Sequence, residues 1–280
     1  MDSPRHLDPR RVVPVVANRR EASDVHTLTF HDLGCQTARP GQYVMAWAPG
    51  VDEVPLSLSA LDRDGLSAVT IKAVGPGTDA LCAMAPGDAL GVRGPYGNGF
   101  TLIPGRVAIV GGGTGLAPLL PLTHMLVDRG SAIAFIAGGA TKADVLFRAA
   151  LQTLLHEPQH RVIVTTEDHS YGRGGTTIDA FHDLLDTEGP FEMVYACGPE
   201  PMMRKVFDLT EHFGLRLQVC MERIVHCSLG LCGSCAIGRF RVCKDGLILS
   251  SDQLREVADE FGVFTRGLDG RKTYFNISKK

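Results

Sequence analysis

VAIVGGGTGLAPLLPL, residues 107–122, runs from a continuous apolar stretch through a cluster of glycines into a segment of helical length. An apolar strand without polar alternation belongs in a sheet covered on both faces. Glycines between such a strand and a helix let the backbone approach a pyrophosphate, and the helix N-terminus adds N–H donors and a positive dipole end. The spacing is G-x-G-x-x-P, with Gly113, Gly115 and Pro118, rather than G-x-G-x-x-G. Alone, such a turn could also be a tight connection. The device recurs in YACGPEPMM (195–203), where a strand meets Cys197, Gly198 and Pro199 before a helix. Open α/β sheets bind ligands beyond the carboxyl ends of their strands. The paired turns, one at Gly112, Gly113, Thr114 and Gly115 and the other at Cys197, Gly198 and Pro199, therefore point to a dinucleotide, NAD(H). Cys197 could equally be a buried core thiol.

Outward from that turn, apolar runs at 106–112, 132–138, 161–167 and 192–198 alternate with helix-length segments at 116–130, 142–156, 177–189 and 199–214. The rhythm predicts an α/β parallel-sheet NAD-binding domain over 104–219. Residues 1–103 read as all-β instead. RVVPVVA (11–17), VHTLTFH (25–31), QYVMAWA (42–48), SAVTIKAV (67–74) and DALGVRG (88–94) are short, and turns such as ARPG, DRDG and APGD bound them. They predict a small antiparallel β-barrel. Residues 220–280 hold a cysteine-rich segment and a polar tail with room for a short helix at 252–261, then loop. The fold class expected is thus multidomain: barrel, α/β sheet, C-terminal cysteine segment.

Composition narrows the partners. The chain has 280 residues, 44% hydrophobic and 21% charged, which suits packed domains and not disorder. A net charge of −3 argues against nucleic acid or an anionic membrane as partner. The start, MDSPRHLDPRR, lacks the apolar run of a signal peptide, and the longest apolar stretch is broken by glycine and proline. A cytoplasmic protein is expected.

Half of the eight cysteines lie in CSLGLCGSCAIGRFRVC (227–243), spaced C-x4-C-x2-C-x7-C. In a reducing compartment such clustering suggests metal rather than disulfide. Cys227, Cys232 and Cys235 fit the plant-type [2Fe–2S] spacing. Gly230, Gly233 and Ser234 allow the loop to bend round a cluster and offer it N–H donors. Structural zinc is the alternative, but zinc sites usually pair separate knuckles, and here the C-x4-C and C-x2-C share Cys232. Free thiols are a third reading. Cys220 is a fifth candidate, read as a buried thiol at a strand end; His226 is read as a neighbour and not a ligand.

Nicotinamide gives up two electrons as hydride, whereas such a cluster takes one at a time; a flavin is the ordinary divider of the pair. The barrel is the domain left to hold it. Its candidate elements are VPLSLS (54–59) and TIKAVGPGTDAL (70–81), with Gly75, Gly77 and Thr78 as a phosphate-cradling turn and Lys72 as a charge. GPGT could also be a plain β-turn.

This order of parts resembles the ferredoxin-reductase superfamily and, more closely, the electron-transfer subunits of type B dihydroorotate dehydrogenases. The resemblance spans nearly the whole chain and rests on VPLSLS, IKAVGPGTDAL, RGPYGNGF, VGGGTGLAP, TTEDHSYGRGG, CGPEPMM and CSLGLCGSCAIGRFRVCKDG. It implies FAD in the barrel, NADH on the sheet and a cluster near the flavin. By position, FAD would meet Pro55, Leu56 and Ser57, then Thr70, Ile71 and Lys72, then Gly77 and Thr78. The cluster ligands would be Cys227, Cys232, Cys235 and Cys243. Val54 stands where the family usually has the arginine that pairs with FAD phosphate, so Lys72, another basic residue or backbone amides must neutralise it. The short gap before Cys243 resembles some archaeal members, and also the flavin subunit of cytosolic NAD(P)-linked [NiFe] hydrogenases.

The expected function is a relay between NAD(H), FAD, a [2Fe–2S] cluster and a catalytic flavoprotein, an FMN dihydroorotate dehydrogenase of pyrimidine biosynthesis. Hydrogenase subunits are the alternative partners. A zinc-stabilised nucleotide-binding module without redox turnover is an alternative of another class. An oxygenase reductase is disfavoured, because its ferredoxin domain needs a fourth cysteine far downstream. No residue of the chain is expected to act as a catalytic acid or base. Ile224, Val225, Leu229, Leu231, Ile237 and Phe240 are too many apolar residues for an exposed loop, so part of them should meet a partner. Lys142 and Asp144 both follow the second sheet strand, which leaves NADH against NADPH open.

Overall fold

A computed structural model describes residues 9–62, 64–267 and 269–275; the first residues of the N-terminal stretch and the last of the tail lie outside them. Strands β1 (Arg11–Arg20), β2 (Val25–His31), β3 (Tyr43–Ala48), β4 (Asp52–Leu61), β5 (Leu66–Lys72) and β6 (Ala89–Tyr96) close an antiparallel barrel in the order β1-β2-β5-β4-β3-β6. Side chains alternate across each strand. On β3, Val44, Ala46 and Ala48 fill the barrel with Leu28, Leu58, Val69 and Leu90. Tyr43 and Met45 point the other way and join the core of the α/β unit. YVMAWA is apolar throughout because both of its faces are covered. Pro55 is tolerated in β4 because the ladder to β5 begins only at Leu58. Helix α1 (Pro76–Cys82) packs on the barrel through Leu81.

The second unit is a sheet of β7 (Arg106–Gly112), β8 (Ala132–Gly139), β9 (Arg161–Thr166), β10 (Arg173–Gly174), β11 (Met193–Cys197) and β12 (Leu217–Cys220), all parallel. The chain then forms the small ribbon β13 (Ala236–Ile237) and β14 (Phe240–Arg241), and β15 (Ile248–Ser250) returns antiparallel beside β12. The order is β10-β9-β8-β7-β11-β12-β15. The connections reverse direction between β7 and β11, so a crevice opens there at the strands' carboxyl ends. Helices α2 (Leu116–Val127), α3 (Arg148–Leu154), α4 (Thr177–Glu188) and α5 (Glu200–His212) cover the faces. Pro118 falls in the first turn of α2, where its missing N–H costs no bond. In the cysteine segment, α6 (Val242–Asp245) carries Cys243.

Three local expectations change. The helix expected at 142–156 starts only at Arg148, because Asp144 folds back to accept from Thr141 N–H (3.0 Å) and hydroxyl (2.9 Å), and Phe147 is left-handed. The tail helix α7 spans Ser251–Glu256. The expected loop after it contains a hairpin, β16 (Phe264–Arg266) with β17 (Lys272–Tyr274).

Asn98, just after β6, ties the barrel to the end of the sheet. Its amide donates to Ile248 C=O and its carbonyl accepts from Ile248 N–H, each at 2.9 Å, so one side chain plays the part of a missing strand. Among the described residues, no helix is long and apolar enough to cross a membrane.

Candidate functional site

A cleft of about 470 Å³ lies at the carboxyl ends of β7, β8 and β9 and is closed on the barrel side by Ala22, Asp24, Val25 and Lys72. Gly112, Gly113, Thr114 and Pro199 line it. Gly113 has φ +55°, and a Cβ placed on it would have open space within 4 Å, so the turn bares its backbone to the cleft. Gly115 serves another purpose. A Cβ there would lie 2.5 Å from Cys197 O and Gly198 N, so the two glycine turns touch and brace each other. Cys197 and Gly198 thus stand behind the lining. Lys205, Glu167 and Thr177 also face the cleft and were not anticipated. Lys205 could have been found by its spacing: it sits three residues after Met202, on the same helical face. Asp144 is on the cleft wall. Lys142 lies 5.2 Å from the ring centre of Tyr171.

On the barrel, Val54 and Leu56 pack toward the interior, as does Ile71. Pro55 and Ser57, and on β5 Thr70 and Lys72, therefore share the opposite face. The Thr70 hydroxyl is held within the wall by Thr27 (2.9 Å) and Ser59 (3.0 Å). The Lys72 ammonium sits 3.5 Å from Asp24 at the cleft margin. Thr78 fixes the α1 turn: its hydroxyl oxygen accepts from Val74 N (2.9 Å) and Gly75 N (3.1 Å) and donates to Gly75 O (2.9 Å). At Gly77 a Cβ would come within 2.9 Å of Asp52 Cβ and 3.2 Å of Val54 Cγ1, so this turn must lie against β4. VPLSLS and GPGT are brought together as one surface. Val54 enters it as packing, not as a substitute for the missing positive charge. Gly75 has open space on its outer side, which leaves room for a ligand against the backbone.

The cysteine loop is shaped by left-handed residues, Ser228 (φ 58°), Gly230 (φ 72°) and Gly233 (φ 77°). Cys235 and Cys243 are buried, Cys227 is half-buried and Cys232 is exposed. Leu229 N and Leu231 N each aim at Cys227 Sγ from 3.4 Å, and Cys243 N lies at the same distance from Cys235 Sγ. Burial pushes the Cys227 thiol up, but the N–H groups of Cys232, Leu229 and Leu231 outweigh it and bring it down to about 6. The Cys243 thiol is pushed up to about 12 by burial and by its bond with Cys235. Cys232 lies beside Cys227 and Cys235 beside Cys243, and Cys227 is near enough to Cys243 to act on it, so the four thiols form one group of donors. A two-iron cluster takes two ligands on each iron, whereas zinc gathers its ligands round one centre. The donor set fits the two-iron cluster.

Cys220 lies apart from this set. It ends β12, is 1% exposed, and pairs in register with Cys197. Its hydrogen bond and burial raise the Cys197 thiol well above the usual range. His226 is exposed. The apolar residues of the loop divide: Val225, Ile237 and Phe240 enter the core, whereas Ile224, Leu229 and Leu231 are 43%, 52% and 80% exposed.

Barrel and loop meet at Tyr43. It opposes Ser57 across β3 and β4, and it shares a buried cluster with Cys235 and Cys243, against which Cys227 packs. Strands β5, β4 and β3 are neighbours in that order, so one continuous face leads from the cleft margin at Lys72 to the cysteines. Alternation with Met45 could place Tyr43 on the outer face, but nothing local links it to residues so far downstream.

Residues 109–208 match the family model described as oxidoreductase NAD-binding domain. The chain is 36% identical over 262 residues to the probable dihydroorotate dehydrogenase B (NAD(+)), electron transfer subunit, of Thermoplasma acidophilum, covering 92% of this chain and 96% of that one. It is 40% identical over 233 residues to the protein of the same name from Pyrococcus horikoshii, covering 83% and 86%. Among solved structures, an NADH-dependent reduced ferredoxin-NADP oxidoreductase studied for flavin-based electron bifurcation superposes with a TM-score of 0.77, at 27% identity and with 91% and 95% covered. The ferredoxin reductase in carbazole 1,9a-dioxygenase shares the fold, with a TM-score of 0.64 at 20% identity over 74% of this chain and 66% of that one.

Proposed function

The chain belongs to the family of dihydroorotate dehydrogenase B electron transfer subunits, and from that membership we propose that it carries electrons between a dihydroorotate-oxidising flavoprotein subunit and NAD(+) in pyrimidine biosynthesis. Bound in their places, nicotinamide exchanges hydride, FAD divides the electron pair and a [2Fe–2S] cluster passes single electrons. The chain's own residues hold and insulate these groups. Gly112, Gly113 and Thr114 receive the NAD(H) pyrophosphate, Gly115 braces their turn against Cys197 and Gly198, and Pro199 supports the nicotinamide end. Pro55, Ser57, Thr70 and Lys72 form the FAD surface with the turn at Gly77 and Thr78, and Val54, Leu56 and Ile71 support it from the barrel interior. Cys227, Cys232, Cys235 and Cys243 hold the cluster. The segments 1–103, 104–219 and 220–280 divide these tasks.

The observation that supports the reading is the continuous outer face of β5, β4 and β3, which carries Pro55, Ser57, Thr70 and Lys72 and runs from the nucleotide cleft to the cysteine loop. Exposed Leu229, Leu231 and Ile224 beside the cysteines form the docking face for the catalytic subunit. A working place in the cytoplasm follows from thiols that must stay reduced before they take up iron.

The test is cofactor content followed by coupling. Anaerobically purified protein should carry stoichiometric FAD, about two irons and acid-labile sulfide. NADH should bleach both chromophores. The chain alone should reduce dyes but leave dihydroorotate untouched, and adding the catalytic subunit should couple dihydroorotate oxidation to NAD(+) reduction. Stoichiometric zinc without iron would refute the relay. Co-elution with a nickel–iron subunit would turn the partner assignment to a hydrogenase.

A further inference from the structure

Two hydroxyl groups beside the cysteine loop lack a hydrogen-bond partner. Tyr43 is 1% exposed and Ser228 5% exposed, yet Tyr43 OH and Ser228 Oγ both lie in the interior without a completed hydrogen bond. They come from elements far apart in sequence, β3 of the barrel and the turn directly after Cys227. Burying a hydroxyl without a partner is unfavourable; the two face each other, but one bond between them would use only one of the two O–H groups and leave the other in need of an acceptor. The Tyr43 ring packs on Tyr96, with ring centres 5.5 Å apart, and beside Gly97. Ser228 is held in left-handed backbone at φ 58°, which fixes where its side chain leaves the chain. Tyr43, Cys235 and Cys243 belong to one buried cluster with Cys227 packed against it, and all three thiols are near enough to act on the Tyr43 hydroxyl.

We propose that Tyr43 and Ser228 are positioning residues that donate O–H hydrogen bonds to the sulfur atoms of the cluster, and that they set its reduction potential from the flavin side. This inference rests on the proposed [2Fe–2S] site. A reduced cluster carries one more negative charge than an oxidised one, so donors aimed at its sulfurs favour the reduced form and raise the potential. The backbone donors Leu229 N, Leu231 N and Cys243 N already serve Cys227 and Cys235. The two hydroxyls add side-chain donors, and side chains, unlike amides, can be removed by substitution. Because Tyr43 opposes Ser57, its hydroxyl approaches the cluster from the strand that faces the flavin surface.

The experiment is an EPR-monitored redox titration of holoprotein, with Tyr43→Phe and Ser228→Gly compared with wild type. Glycine is chosen at 228 because it accepts the left-handed backbone. Iron, sulfide and FAD are measured first. A wild-type protein without a cluster overturns the parent reading and this inference with it. With the cluster present, each variant should retain iron and flavin while its one-electron equilibrium shifts about tenfold toward the oxidised cluster, about 59 mV for a one-electron couple. Potentials equal to wild type in loaded variants would overturn this inference and leave the relay standing. Should Tyr43→Phe fail to assemble, Ser228→Gly decides alone, since it removes one donor and leaves the aromatic packing in place.

Discussion

Single residues decide how the nucleotide cleft and the barrel hold together. Gly113 is open to the cleft, so Gly113→Ala, and more strongly Gly113→Val, should weaken NADH reduction of the flavin. About tenfold in apparent affinity for alanine corresponds to about 1.4 kcal/mol. FAD and iron content should not change, and stopped-flow bleaching checks both. Gly115→Ala should act differently and lower stability, because its Cβ would meet the second turn's backbone. Asp32 offers a pH test. Burial alone would raise its carboxyl, but the Arg11 guanidinium, at 2.9 and 3.0 Å, and the Gly34 N–H outweigh it and hold it below the usual range. A depressed folded value means that its stabilisation is fully present above the unfolded carboxyl's value of about 3.9 and fades as pH falls through the folded value. Asp32→Asn should therefore cost about 2 kcal/mol at neutral pH. The gap between the two urea midpoints should close on acidification.

At the scale of elements, legibility followed periodicity. VHTLTFH coincides with β2, residue for residue, because alternation and flanking turns leave it no other reading. RVAIVGG does the same for β7, whose two faces are both covered. The glycine turns and the cysteine quartet stand out because each needs unusual residues at fixed spacing, whereas GPGT, read as a turn, opens helix α1. Where long-range contacts decide, the sequence is silent. Residues 142–147 carry a helical pattern, but Asp144 competes for the backbone and Phe147 takes a left-handed turn. The β16 and β17 hairpin is short, and its second strand is exposed, so it shows no alternation. Tyr43 looks like any strand aromatic until the fold sets the cysteines beside it. Asn98 is equally silent, although it supplies both ladder bonds to Ile248. Asn98→Ala would strand that N–H and C=O, at about 1–3 kcal/mol each. Hydrogen exchange at 246–250 should accelerate in this variant while the barrel strands stay protected.

Across the whole molecule, one core runs from barrel to sheet to cysteine loop: Met45, Ile109 and Cys235 belong to the same buried cluster. A rigid frame of this kind suits single-electron transfer, which depends on fixed separations. The outward leucines of the loop should matter only to the partner. Leu229→Asp with Leu231→Asp should leave NADH-to-dye activity within about twofold. Loss of even about 3 kcal/mol of docking energy would weaken association more than a hundredfold. Gel filtration with the catalytic subunit and coupled turnover would report it.

The strand β15 has a further consequence. It caps β12 through the pairs Gln218 with Ser250, Val219 with Leu249 and Cys220 with Ile248, all contributed by sequence beyond the nucleotide domain. A protein cut after residue 220 would bare a row of unpaired N–H and C=O groups along a wholly buried strand, LQVC. Such an edge is a template for another chain. The redox segment is therefore also the sheet's guard against self-association: a truncated barrel-and-sheet fragment is expected to precipitate or to form intermolecular sheet, visible by thioflavin binding, even with both nucleotides supplied.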